Sequence, residues 1–103
     1  MNRDDRQTDS VSPPELVPEE GVFWVVEQEG ISVLAAGDRK TCFLAYPQAA
    51  AWDLLMQGYS LERTTQMIGI LCTWDGHHAA EQLHRWVLEW KGSGLIKDGT
   101  QHG

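Results

Sequence analysis

The residues best suited to chemistry lie near the C-terminus, where His77, Glu81 and His84 fall at positions i, i+4 and i+7 of a predicted helix. This spacing puts two imidazoles and a carboxylate on one helical face, and a divalent metal accepts those ligand types. His77 and His84 are, however, two turns apart, about 10 Å along the axis. Because one ion cannot bridge that distance without distortion, we predict no metal and no cofactor. The pair His77 and Glu81, joined by His78 or Cys72, is the arrangement left open.

No catalytic motif accompanies these residues. The sequence has no nucleophile elbow, no glycine-rich phosphate loop and no matched pair of carboxylates in a recognisable setting. Thr64, Thr65 and Asp53 are interpreted as polar groups on helix surfaces. We therefore predict that the protein is not an enzyme.

Composition and charge favour one small folded domain. The 103 residues suffice for a single core, and 42% hydrophobic residues with five Trp are typical of globular chains. The net charge of -7, with scattered Lys and Arg, argues against a nucleic-acid partner. No apolar run is long enough for a membrane span, and the N-terminus lacks a signal-peptide pattern. We expect a cytoplasmic protein in which Cys42 and Cys72 are small buried hydrophobes.

Residues 1–20 differ in composition from the rest of the chain. Six acidic residues stand against two basic ones, together with three prolines and few apolar side chains. This composition predicts a disordered acidic tail, and whether the tail docks onto a partner is left open. The folded domain is predicted to span 21–97, followed by a polar tail at 98–103.

Three short runs rich in aromatic and β-branched residues open the folded part: VFWVVEQEG at 22–30, ISVLAAGD at 31–38 and KTCFLAYP at 40–47. Glycine-containing separators suit hairpin turns between them, so we predict a three-stranded antiparallel meander. Alternation makes both faces of this sheet largely apolar. Since a sheet with one wet face alternates apolar and polar residues, we expect the second face to be covered by another copy in a homodimer, by a folded-back tail or by a bound ligand.

Three amphipathic helices are predicted after the strands, at 48–57, 61–72 and 76–90. Pro47 suits the start of the first helix and Gly58 its end. Ser60 suits the N-cap of the second helix, and Asp75 precedes the third. Leu95 and its neighbour Ile96 then return to the core as a short clasp. Strands followed by helices indicate an α+β fold of the winged-helix type, with a three-stranded antiparallel sheet and three α-helices.

The third helix carries more apolar surface than one buried face requires. Leu83, Trp86, Val87 and Trp90 supply an inner stripe at helical spacing, whereas Leu88 lies off that stripe. An exposed leucine on a helix that already has a core face suggests contact with a partner.

This order of elements resembles the PqqD-like family, the peptide-binding recognition elements of ribosomally synthesised, post-translationally modified peptide pathways. The resemblance covers residues 24–96 and depends on order and spacing rather than on any single residue. Two departures are Tyr46, where the family usually has Asn, and Gln57, where it often has an acidic residue. The segments that carry the resemblance are FLAY at 43–46, AAAWDLLMQG at 49–58, SLERTTQMIGIL at 60–71 and LHRWVLEWKGSGLI at 83–96.

The resemblance implies a non-catalytic function in natural-product biosynthesis. Such domains bind the leader segment of a precursor peptide as an added edge strand, between the third strand and the third helix. They present the precursor to a modifying enzyme, such as a radical S-adenosylmethionine protein or a cyclising peptidase. Neither the precursor, the pathway product nor the oligomeric state follows from the sequence. Carried onto this chain, the peptide-binding residues are Lys40, Thr41, Cys42, Phe43, Leu44, Ala45, Glu81, His84, Arg85 and Leu88.

A winged-helix DNA-binding or transcription-regulatory domain is the alternative, because three helices followed by a clasp are compatible with a helix-turn-helix. Its third helix would enter a groove of DNA. That helix offers only Arg85 and Lys91 as cations, interspersed with Glu81 and Glu89. The mixed charge favours peptide binding over DNA binding.

Overall fold

The computed structural model describes residues 15–37 and 39–99, so residues 1–14 of the predicted acidic tail and 100–103 of the predicted polar tail lie outside this range. None of the helices in the described residues is long and apolar enough to cross a membrane. The chain forms a three-stranded antiparallel sheet, three helices and a small two-stranded sheet, which confirms the predicted fold class. In chain order the elements are β1 (Leu16–Pro18), β2 (Val22–Glu27), β3 (Gly30–Ala35), β4 (Lys40–Ala45), α1 (Gln48–Met56), α2 (Leu61–Cys72), α3 (Gly76–Gly92) and β5 (Ile96–Asp98).

Strand β1 was not predicted, because it lies inside the segment interpreted as an acidic tail. It pairs antiparallel with β5, with Leu16 opposite Asp98. The Leu16 side chain is buried in the core, and the Glu15 carboxylate accepts a hydrogen bond of 2.8 Å from the backbone N–H of Leu61. Strand β1 and the last residue of β5, Asp98, thus lie outside the range of 21–97 predicted for the folded domain. Leu95 and Ile96 are buried, as expected of the clasp, but Ile96 pairs with β1 rather than with the three-stranded sheet.

The core lies between the inner face of the three-stranded sheet and the helices. Trp52 of α1 is fully buried, and its ring packs edge-on against Trp24 of β2 at 5.5 Å and Trp90 of α3 at 5.2 Å between ring centroids. Aromatic pairs favour this T-shaped arrangement. Trp52 thus connects the packing of the sheet, α1 and α3.

The helix boundaries follow the capping residues closely. Ser60 accepts from the N–H of Arg63 at 3.0 Å, and Asp75 accepts from the N–H of His78 at 2.8 Å. Gly58 has a φ of 101°, the left-handed conformation predicted for the end of the first helix. The differences are small, since α1 ends one residue early and α3 continues to Gly92.

Replacing Asp75 by Ala should destabilise the domain by about 1 kcal/mol, because an N-cap carboxylate satisfies a helix N–H and faces the positive end of the dipole. A change of this size corresponds to a lower Tm by about 4–8 °C in a domain of this size. Thermal unfolding followed by circular dichroism measures it. Asp75→Asn should keep most of the stability, and Glu89→Ala, which removes an exposed carboxylate from the same helix, should leave Tm nearly unchanged. An equal loss in the Asp75 and Glu89 alanine variants would contradict the capping role.

Candidate functional site

Strand β4 is an edge strand in the described part of the chain. The sheet order is β2-β3-β4, so β4 pairs with β3 on one side and with no other described strand on its second side. All its side chains are exposed except Leu44. An edge strand offers unpaired backbone N–H and C=O groups that an extended peptide can satisfy.

The turn between β2 and β3 determines which backbone groups face that free edge. Glu27 and Gly30 close a two-residue turn, so these two residues must exchange both backbone hydrogen bonds. Bonded pairs then recur at every second residue along the ladder. The bond from the Ala36 N–H to the Gly21 carbonyl, at 2.9 Å, continues the same alternation. Every second residue of β3, beginning with Gly30, therefore points its backbone groups toward β2.

The remaining β3 residues bond to β4, and the register gives their partners as Lys40, Cys42 and Leu44. Because backbone groups alternate sides along a strand, the N–H and C=O groups of three β4 residues point to the free edge. These are Thr41, Phe43 and Ala45. The six β4 residues predicted to bind the peptide thus fall into two groups. Three of them form the hydrogen bonds to β3, and the other three can pair with a peptide backbone.

The side chains of Thr41, Phe43 and Ala45 point to the outer face of the sheet, away from the helices. The register places Val25 and Ser32 in the same row as Phe43. Large apolar side chains on this face are exposed, so the described residues leave it uncovered, and self-association through it stays a prediction. They are Phe23, Val25, Leu34 and Phe43.

The inner-face side chains of β4 differ from one another. Leu44 is only 2% exposed and belongs to the core, so its side chain does not form the floor of an open groove. Cys42 lies two residues away on the same face and is exposed, so the prediction that it is a buried hydrophobe is wrong; Cys72 is half-buried. The helices therefore cover the inner face of the edge strand at Leu44 but not at Cys42. Lys40, the third inner-face residue, is also exposed.

Helix α3 contributes the second set of predicted site residues. It packs against α1, α2 and β5, burying Leu83, Val87 and Trp90. Glu81, His84, Arg85 and Leu88 recur at helical spacing, which aligns them on one face, and Leu88 is 55% exposed. The four residues predicted on α3 are therefore all accessible and neighbouring, with Glu81 also close to His77 at 3.3 Å.

Two hollows beside α2 were not predicted from the sequence. The first hollow, of about 200 Å³, lies between α2 and α3 and is lined by residues of α2 and by His84. The second is shallower, has a volume of about 730 Å³ and lies along the turn between the two helices. Ile70, which lines the second hollow and is exposed, was a usable signal for it, because this residue does not belong to the inner stripe. The first is lined by Leu61, Thr65, Ala80, Leu83, His84 and Val87, the second by Thr65, Gln66, Gly69, Ile70, Thr73, Trp74, Asp75 and Gly76.

The charges of α3 do not form a basic surface. Arg85 and Lys91 are interspersed with Glu81 and Glu89, all exposed, and the Lys91 ammonium pairs with Asp98 at 2.8 Å. Among the described residues, no three His, Cys, Asp or Glu side chains are placed so that they could hold a metal ion. The described residues therefore present a free strand edge on β4 and, on α3, an exposed face of mixed polar and apolar side chains.

Comparison with known proteins gives one informative match. No protein-family model matches the chain, and no curated protein matches it. A solved structure described as lasso peptide synthetase B1 complexed with the leader peptide superposes on it with a TM-score of 0.72, covering 81% of this chain and 98% of the other. At 15% sequence identity the likeness concerns the fold. The chain thus shares the fold of this solved structure, and that fold agrees with the one that the sequence resemblance predicted.

Proposed function

We propose that this protein binds the leader segment of a ribosomally made precursor peptide as an added strand on β4. The observation that carries the proposal is the free edge of β4, where the backbone groups of Thr41, Phe43 and Ala45 point away from the sheet. The similar fold of the structure described as lasso peptide synthetase B1 complexed with the leader peptide supports it.

Backbone pairing accounts for affinity without a strict sequence requirement, because every peptide residue except proline carries the same N–H and C=O groups. Selectivity then comes from side chains on either side of the added strand. On the helical side these are the exposed Leu88, which offers apolar contact, and Arg85, which can pair with an acidic leader residue. His84 and Glu81 add polar contacts along the same face of α3.

A recognition element of this kind acts by positioning its peptide. It holds the leader while the attached core segment reaches the active site of a separate modifying enzyme, such as a radical S-adenosylmethionine protein or a cyclising peptidase. Binding raises the effective concentration of the core segment at that enzyme. The protein itself needs no catalytic group for this function.

Selection of peptides from a random 20-residue library on the immobilised protein tests the proposal without knowledge of the natural precursor. Synthetic copies of the selected peptides are titrated into isotopically labelled protein, and amide shifts are followed by NMR. We expect shifts concentrated in residues 40–46 and 81–91. Selected binders that shift only residues elsewhere, or the failure of repeated selections to yield any binder, would contradict the proposal.

Replacing Leu88 by Asp should weaken binding of a selected peptide about 10-fold, because the change removes an apolar contact and places a carboxylate in its position. Leu88 is 55% exposed, so the domain should remain folded. Leu71→Asp is the matched control, since Leu71 is 64% exposed on α2, outside the proposed groove. Isothermal titration gives both Kd values. Equal weakening by the two variants would remove Leu88 from the site.

A further inference from the structure

We infer that the leader is recognised on both faces of the added strand, and that Phe43 selects a large apolar side chain on the outer face. This inference rests on the proposed function, because it assumes a peptide paired with β4. It adds a specificity-determining residue on the side of the sheet opposite the helices.

Phe43 directs its backbone groups to the free edge of β4 and its side chain to the outer face of the sheet. Its backbone groups point toward the incoming strand, since its neighbours Cys42 and Leu44 bond to β3. In an antiparallel arrangement, the leader residue opposite Phe43 forms a hydrogen-bonded pair with it, about 5.5 Å away between Cα atoms. The two side chains then lie on the same face of the extended sheet and contact each other.

The Phe43 ring is already positioned before any peptide arrives. A Cβ built on Gly30 would lie 2.7 Å from the ring Cζ and 2.1 Å from the Leu44 carbonyl oxygen. The ring therefore lies over the glycine, and only a residue without a side chain fits beneath it. Although one side of the ring is supported in this way, Phe43 remains 51% exposed. Binding against a ring fixed in this manner orders few additional rotamers.

The surroundings of the ring favour an apolar partner of substantial size. Its row of the sheet contains Val25 and Ser32, and the outer-face neighbours along β4 are the small residues Thr41 and Ala45. The three residues of this row are uncharged, and the Glu27 carboxylate, which lies on the same face, accepts a hydrogen bond of 3.2 Å from the Ser32 hydroxyl. A leader residue opposite Phe43 extends the row by one position, where an aromatic or branched side chain can cover the exposed ring.

The consequence for the substrate is a particular sequence pattern. Successive residues of a strand point to opposite faces, so the residue next to the Phe43 partner points inward, toward the side of the sheet where the helices lie. A leader recognised on both faces therefore carries two adjacent large apolar residues within an extended segment. A leader recognised only in the helical groove would need apolar residues at alternate positions instead.

The test uses a library-selected peptide whose titration shifts the β4 amides. Phe43→Thr should weaken its binding about threefold to tenfold, whereas Phe43→Trp should change it less than about twofold. Val25→Thr is the control, because it removes an exposed apolar side chain from the same row at the opposite edge of the sheet. Nuclear Overhauser contacts identify the peptide residue that lies opposite Phe43. Replacing that residue by alanine should weaken binding to the wild-type protein by a similar factor.

Equal affinities for the Phe43→Thr and Val25→Thr variants, with the β4 shifts intact, would overturn the inference and leave the proposed function standing. Loss of the β4 shifts from the wild-type titration would instead remove the proposed function itself. If Phe43→Thr fails to fold, the alanine substitution in the peptide decides, since it leaves the protein unchanged. An unchanged Kd for that alanine peptide overturns the inference.

Discussion

Replacing Trp52 by Ala should lower the free energy of unfolding by about 3–5 kcal/mol, the largest loss expected from a single side chain in this domain. Trp52 is fully buried and contacts the rings of both Trp24 and Trp90. Its removal leaves a cavity where sheet, α1 and α3 meet. Because small domains have about 5–15 kcal/mol of stability in total, the variant should be largely unfolded at moderate denaturant concentration.

Trp52→Phe is the informative comparison. The Trp52 indole N–H is buried without a hydrogen-bond partner among the described residues. Phenylalanine removes that unsatisfied donor while keeping an aromatic ring between Trp24 and Trp90. We expect a loss of about 1–2 kcal/mol, measured by urea unfolding monitored through tryptophan fluorescence and circular dichroism. Similar losses in both variants would mean that ring packing is not what stabilises this position.

Replacing Thr41 by Pro should abolish peptide binding while the domain stays folded. Proline has no N–H, and the Thr41 N–H points to the free edge rather than to β3. Proline is tolerated in edge strands where the missing N–H would face solvent. The loss should be at least about 10-fold in Kd, because the ring also obstructs the approach of the added strand.

Cys42→Pro is the matched control at the adjacent residue. The Cys42 N–H belongs to the pair with Val33 inside the sheet, so proline there removes a ladder hydrogen bond and should unfold the hairpin. Circular dichroism distinguishes the two variants, and isothermal titration measures binding for the one that folds. A folded Cys42→Pro together with an unfolded Thr41→Pro would reverse the assignment of bonded and free residues.

The helices were predicted accurately because their signals are local. Ser60, Asp75 and Gly58 each act on backbone groups within one turn, so their effect can be read from neighbouring residues. The three helices accordingly begin and end within two residues of their predicted bounds. The β2–β3 hairpin was predicted, but its turn is formed by Gln28 and Glu29 rather than by the glycine-containing separator, since Gly30 is the first residue of β3.

Strand β1 was missed because its determinants are long-range. Leu16 and Val17 are two apolar residues among Pro and Glu, a composition that predicts an unfolded segment. It is ordered by pairing with β5, 80 residues later, and by the contact between Glu15 and Leu61. Neither contact leaves a periodic pattern in the sequence.

The residues of the candidate site stay a prediction, whereas their exposure can be compared with the structure. Composition and resemblance pointed to β4 and to one face of α3, and exposure of Leu88 agrees with a contact role. The burial of Leu44 and the exposure of Cys42 could not be predicted, because they depend on which part of β4 the helices pack against. Which β4 residues point to the edge required the register of all three strands.

Amide hydrogen exchange of β4, measured by NMR with and without a library-selected peptide, tests the central claim most directly. Exchange is slowed where an N–H is hydrogen-bonded within structure. Leader binding by strand addition predicts that Cys42 and Leu44 are protected in both states, whereas Thr41, Phe43 and Ala45 become protected only when the peptide is bound. Unchanged exchange at these three amides in a saturated complex would contradict strand addition on β4.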